Sequence, residues 1–231
     1  MIQDNVFKIK ERITLACARF GRDPLGITIV AVSKTRTPEQ IKEVVEAGVS
    51  DIGENRVQEA LDKYCDLRIT SYGLRIKWHL VGHLQTNKAK DAVKIFDLIH
   101  SVDSLRLAQE INKQAQKIGK IQEILLEVKT SKEPTKCGFE EEEIIEAVRE
   151  ISRLKNVCLR GLMTIAPIVD NPEQARPYFK VLRELRNKIY DLRITDYELP
   201  ILSMGMTDDF EVAIEEGATM VRIGRAIFDE R

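Results

Sequence analysis

Four cysteines stand far apart in this chain of 231 residues, at Cys17, Cys65, Cys137 and Cys158. None belongs to a C-x-x-C pair, so no clamped metal or redox disulfide is signalled, and a chain this long needs no covalent staples. Net charge is also nearly absent: 36 Lys and Arg against 37 Asp and Glu leave −1. That balance excludes a bulk electrostatic pull toward nucleic acid or an anionic membrane. No run of about eighteen uninterrupted apolar residues occurs. The N-terminus carries Asp4, Lys8, Lys10, Glu11 and Arg12, which is wrong for a signal peptide. A cytoplasmic location is expected. Histidine is scarce too, with only His79, His83 and His100. His79-Leu-Val-Gly-His83 superficially has zinc-motif spacing, but it lacks the intervening glutamate and reads as a strand ending in a turn, so no metal is expected.

What is present is an alternation of short β-branched runs with longer amphipathic stretches, the pattern of parallel strands joined by crossover helices. The strand-like runs are Ile27–Ser33, Asp51–Gly53, Trp78–Val81, Leu98–Val102, Ile124–Val128, Cys158–Met163, Leu199–Ser203 and Met220–Ile223. That is about the eight that close a barrel. Helix signals fall between them: Thr37-Pro38 up to Gly48, Ser104 up to Gly119, and Asp208 up to Gly217. An extra helix from about Asn5 to Phe20 groups Val6, Ile9, Ile13 and Ala16 on one face and should pack against or cap the barrel. A doubly wound open sheet would show the same alternation, but no Gly-rich dinucleotide fingerprint follows the first strand. The expectation is one (β/α)8 TIM barrel over residues 1–231 with an additional N-terminal helix.

Barrels of this kind place their chemistry at the C-terminal ends of the strands. Those ends carry Ser33-Lys34, Glu54-Asn55-Arg56, Thr164, Ser203 to Thr207, and Arg222 with Gly224-Arg225. Strand alternation puts Val30, Val32 and Lys34 on one side and sets Arg222 opposite Val221 and Ile223. Lys34 and Arg222 are therefore expected to point together into the mouth. Desolvation by the barrel walls and a cationic neighbour would free the lysine amine for attack on an aldehyde. Ser203 to Thr207 and Gly224-Arg225 offer hydroxyls, glycines and a guanidinium where such barrels hold phosphate. Lys63, Lys132 and Lys136 read as solvated charges, with a second surface anion site as the weaker alternative. Thr130–Gly138 has the composition of a mobile loop at the mouth.

Val32-Ser33-Lys34-Thr35, Gly53 to Glu59, Trp78 to Lys88, Gly161 to Ile165, Ser203 to Met206 and Val221 to Gly224 together resemble the YggS/PROSC family of pyridoxal phosphate homeostasis proteins, in family order over nearly the whole chain. The resemblance implies a fold-type III barrel like the N-terminal domain of alanine racemase, with pyridoxal 5′-phosphate (PLP) held as a covalent aldimine to Lys34. It implies phosphate contacts from Ser203, Thr207, Gly224 and Arg225, Arg222 facing the pyridine nitrogen, Asn55 near the cofactor oxygen, and Met163 in the pocket wall. Two residues depart from the family pattern, Thr207 for Ser and Asp229 for Gly.

A guanidinium at the ring nitrogen stays protonated and leaves the ring a poor electron sink. Alanine racemase adds a tyrosine from a second domain, whereas Tyr64, Tyr72, Tyr178, Tyr190 and Tyr197 lie in helices or connections and the chain ends after the eighth strand. The expectation is a monomeric carrier that buffers or delivers PLP, with PLP-dependent apo-enzymes as partners and little or no turnover. The alternatives are a fold-type III amino-acid racemase or lyase, a cofactor-free aldolase or phosphosugar isomerase using Lys34 with Glu54 as acid/base, and a scaffold that binds protein through its N-terminal helix.

Overall fold

The computed structural model describes residues 1–131, 133, 137–195 and 198–229. Helix α1 (Ile2–Arg19) precedes β1 (Thr28–Val32), α2 (Pro38–Glu46), β2 (Asp51–Glu54), α3 (Val57–Arg68), β3 (Lys77–Leu80), α4 (Ala89–Ile95), β4 (Leu98–Val102) and α5 (Leu105–Lys117). There follow β5 (Gln122–Glu127), α6 (Ile144–Ser152), β6 (Val157–Met163), α7 (Arg176–Asp191), β7 (Ile201–Ser203), α8 (Phe210–Glu215), β8 (Met220–Ile223) and α9 (Arg225–Phe228). The strands form one closed parallel barrel in sequence order. Closure joins β1 to β8 with Val30 opposite Arg222.

Alternation along each strand divides the apolar residues into two cores. Val30, Val81, Leu98, Leu125, Met163 and Met220 form the cluster inside the barrel. Ala31, Ile52, Ile124, Leu126, Val221 and Ile223 belong to the larger cluster between strands and helices. Gly161 is required where β6 meets β7, because a Cβ there would lie 1.9 Å from the Ile201 carbonyl oxygen. The N-terminal helix buries Val6, Ile9, Ile13 and Ala16, as its periodicity predicts. It packs on α2, α8 and α9, flanking the β8–β1 closure. Arg12 reinforces this seam through two bonds to Glu211, at 3.1 and 3.2 Å.

Thr37 caps α2 in a capping box with Gln40, and Pro38 occupies its first turn. Ser104 caps α5. Several boundaries shift by one to three residues from the sequence reading, and two of the shifts have a local cause. The seventh strand starts at Ile201 rather than Leu199, since Pro200 has no N–H for a ladder. The helix expected from Asp208 starts at Phe210, because the Asp209 carboxylate turns back to accept from the Met206 N–H at 2.6 Å. Among the described residues, no helix is long and apolar enough to cross a membrane.

Candidate functional site

Lys34 stands two residues beyond the end of β1, between two anchored residues. The Ser33 side chain is on the helix-facing side, where its hydroxyl donates to Glu54 Oε1 at 2.5 Å. Lys63, from α3, donates to Glu54 Oε1 at 2.7 Å, to Glu59 Oε1 at 2.8 Å and to the Ser33 carbonyl at 2.7 Å. The Thr35 N–H donates to Glu59, and Thr35 takes a left-handed φ of 63°. This ion cluster clamps the backbone on both sides of Lys34, while Val30 and Val32 before it face the barrel interior.

The cluster corrects three expectations. Lys63 is 7% exposed and fully engaged, so it is neither a solvated charge nor an anion site. Glu54 is completely buried and faces α3 rather than the interior, which removes it as an internal acid/base; burial pushes its carboxyl up, and its bonds to Lys63 and Ser33 oppose that. Lys34 itself is exposed at the rim, so the walls do not desolvate it. Lys132 and Lys136 lie outside the described residues, as does much of the loop expected at Thr130–Gly138 and Tyr197.

Arg222 is 4% exposed and stands inside the barrel. Its Nη1 donates to Ser203 Oγ at 2.8 Å and its Nη2 to the Thr164 carbonyl at 2.9 Å. Ser203 Oγ lies 2.9 Å from His100 Nδ1, His100 Nε2 2.9 Å from His79 Nδ1, and His79 Nε2 3.0 Å from Asp51 Oδ1. One assignment satisfies every atom. The Asp51 carboxylate only accepts, so His79 Nε2–H donates to it, His100 Nε2–H donates to His79, and the Ser203 hydroxyl donates to His100 Nδ1. Complete burial, with His79 and Arg222 nearby, holds the His100 imidazole well below its usual range and therefore neutral. Burial lowers Arg222 to about 10, against the pull of Asp209 and Glu127, so it stays cationic at neutral pH.

Sequence reading missed this wire, as it missed Glu127. Glu127 shares the interior side of β5 with Leu125 and is pushed up to about 7 by burial and by Asp103, with Arg222 opposing. Polar residues in otherwise apolar strands, in phase with interior positions, were the available signal. Glu127 was hidden because the apolar run around it continues to Val128, so that it reads as a position within the strand and not as its end.

Glu127, Asn55, Val81 and Ile165 line a cavity of about 240 Å³ at the mouth. Asn55 is held close to β3 by Gly82, where a Cβ would come within 2.4 Å of the Asn55 carbonyl oxygen. Met163 is completely buried in the interior cluster and is not part of this lining. A larger cavity of about 480 Å³ shares Asn55, Gly82 and His83 with the smaller one and extends to Arg56, Gln58, Gln85 and Lys88; Arg222, Ser203 and Glu127 are not in its lining. Gly224 packs against the end of β1, a Cβ there lying 3.3 Å from the Val32 carbonyl oxygen. Thr207 Oγ1 accepts from the Ala226 N–H at 3.4 Å, and Arg225 pairs with Asp208 at the exposed rim. Thr207, Gly224 and Arg225 thus gather where β8 meets the end of β1. Ser203 is different: it is fully buried and its hydroxyl is engaged by Arg222 and His100. Asp229, where the resembled family has Gly, pairs with Arg36.

The family model described as alanine racemase, N-terminal domain, matches residues 8–231. A pyridoxal phosphate homeostasis protein from Aquifex aeolicus is 47% identical over 228 residues, covering 99% of this chain and 97% of that protein. One from Escherichia coli K12 is 37% identical over 234 residues, covering 100% and 97%. PipY of Synechococcus elongatus, solved with PLP bound, is 35% identical with a TM-score of 0.81, covering 95% of this chain and 99% of that one. An alanine racemase from Clostridium difficile, at 16% identity and a TM-score of 0.74, shares the fold; it covers 99% of this chain and 60% of its own.

Proposed function

The chain belongs to the alanine racemase N-terminal domain family, among its YggS/PROSC pyridoxal phosphate homeostasis proteins, and on that premise we propose that it binds PLP covalently through Lys34 and holds it for buffering or delivery rather than turnover. The observation that carries the reading is the buried Arg222 guanidinium on β8, paired in register with β1, whose next residues present Lys34. The residues fit the cofactor. Gly224 leaves open, beside the Val32 carbonyl, a space that any Cβ would crowd, with Thr207 and Arg225 adjacent. Thr207, Gly224 and Arg225 would hold the phosphate. Arg222 would donate to the ring nitrogen, Asn55 would serve the oxygen side, and Met163 would back the pocket from within the barrel.

When bound, the cofactor supplies an aldehyde for amines and a ring that can accept electron density. Arg222 limits the second property, because a donor that remains cationic at neutral pH cannot deliver a protonated ring nitrogen. Ser203 serves through Arg222, fixing the guanidinium that also bonds the Thr164 carbonyl. An exposed Lys34 on an anchored backbone suits reversible capture of an aldehyde arriving from solvent. PLP-dependent apo-enzymes as recipients, action in the cytoplasm and a monomeric state complete the proposal. The racemase or lyase reading has one observation in its favour, the carboxyl of Glu127 in the mouth with a pKa of about 7.

The test is spectroscopic. Purified protein should be yellow or take up added PLP, and borohydride should fix the label on Lys34, as peptide mass spectrometry would show. Lys34→Ala should lose the covalent label while remaining folded. A wild-type protein that stays colourless with excess PLP overturns the proposal, and slow chiral conversion of an amino acid abolished by Glu127→Gln would replace the carrier with a racemase.

A further inference from the structure

Three side chains that the cofactor reading does not use converge across the mouth from β8 and β1. His83 follows β3, Asp103 follows β4, and Cys137 lies beyond β5. One ligating atom from each falls within 4.8 Å of the others, and His83 Nδ1 stands 3.1 Å from Asp103 Oδ2. Ligand atoms on a tetrahedral zinc ion, with bonds of about 2.0–2.3 Å, lie roughly 3.3–3.8 Å apart. A rotation of the exposed Cys137 side chain would bring the spread to that range. We propose that His83, Asp103 and Cys137 bind one divalent ion of the zinc class at the rim of the barrel.

The chemistry of the donor set supports the choice of ion. One imidazole, one carboxylate and one thiolate suit a borderline-soft cation, whereas magnesium and calcium require oxygen donors throughout. The local field supports a cation as well. The carboxylate of Asp103 stands within the cluster, and Glu127 lines the same cavity as His83 and Cys137. Lys129, the nearby cation, is drawn toward Glu140, its partner at 2.7 Å. A dication relieves the crowding. On binding, the sulfur–hydrogen bond of Cys137 gives way to a sulfur–metal bond and the proton leaves to solvent, so affinity rises with pH. Three protein ligands leave a fourth position for water or a ligand atom. His83 and Cys137 both line the 240 Å³ cavity, so that position adjoins the space beside Glu127 and Asn55. The site does not depend on the PLP reading.

Cobalt(II) is the probe, because a thiolate bonded to it gives a charge-transfer band and zinc displaces it. Tag-free full-length protein should bind one cobalt per chain with that band, and zinc should remove it. Cys137→Ser should abolish the band and His83→Ala should weaken metal binding by more than about tenfold. Cys65→Ser, at the other exposed cysteine, should retain the band. Lys34→Ala should also retain it, which separates this result from failure of the PLP proposal. Absence of the band in wild type at pH 8, its survival in Cys137→Ser, or its loss in Cys65→Ser would overturn the proposal and leave His83 and Asp103 a simple polar contact.

Discussion

Glu127→Gln is the most direct test of the interior electrostatics. The native carboxyl is 8% exposed, and its pKa rises from 4.5 in the open chain to about 7. A raised folded value means that the native state holds this proton more tightly than the unfolded chain. The corresponding stabilisation is fully present below pH 4.5 and is lost as pH climbs through about 7. Each tenfold difference in proton affinity between the two states is worth about 1.36 kcal/mol, so the loss amounts to about 3 kcal/mol. Glutamine keeps the shape of the neutral carboxyl and cannot ionise. Urea denaturation at pH 5, 6, 7 and 8 should therefore find the two proteins within about 1 kcal/mol at pH 5. The variant should gain steadily, to about 3 kcal/mol greater stability at pH 8. His100 works in the opposite sense, since its depressed value costs stability as pH falls, but it is common to both proteins and cancels. A difference that does not change with pH, or a variant less stable at pH 8, would refute the idea that burial next to Asp103 governs this group.

The other predictions concern the two buried networks. Lys63→Met strands the Glu54 carboxylate without its cation and should cost about 3–5 kcal/mol in urea denaturation, and adding Glu54→Gln should restore much of it. Equal losses in the single and double variants would mean the pair is not coupled. Ser203→Ala removes the hydroxyl between Arg222 and His100 and should cost about 1–3 kcal/mol. It should also shift the visible spectrum of bound PLP, through the loosened guanidinium, without removing the covalent label on Lys34. Loss of the label would instead make Ser203 a direct cofactor contact.

Much of the fold was legible because strand periodicity and helix caps are local properties. Leu98–Val102 and Met220–Ile223 were read to the residue, and Thr37-Pro38 marked its helix because cap chemistry is written in adjacent side chains. The candidate site was legible only in part. Lys34 and Arg222 could be placed at strand ends, but Glu54 could not be turned toward α3, nor Lys63 recognised as its partner, from their spacing alone. His79 and His100 are 21 positions apart, and their hydrogen bond depends on both facing the same interior.

What the chain by itself determined is the succession of elements and the apolar face of each, since a period of two or of 3.6 residues is set by neighbours in sequence. Tertiary structure alone decided which polar residues share an enclosed space. Closing eight strands fixes the register across β1 and β8, and with it whether a charge is held in water or in the barrel. The protonation of His100, Glu127 and Arg222 follows from that enclosure and from nothing shorter in range.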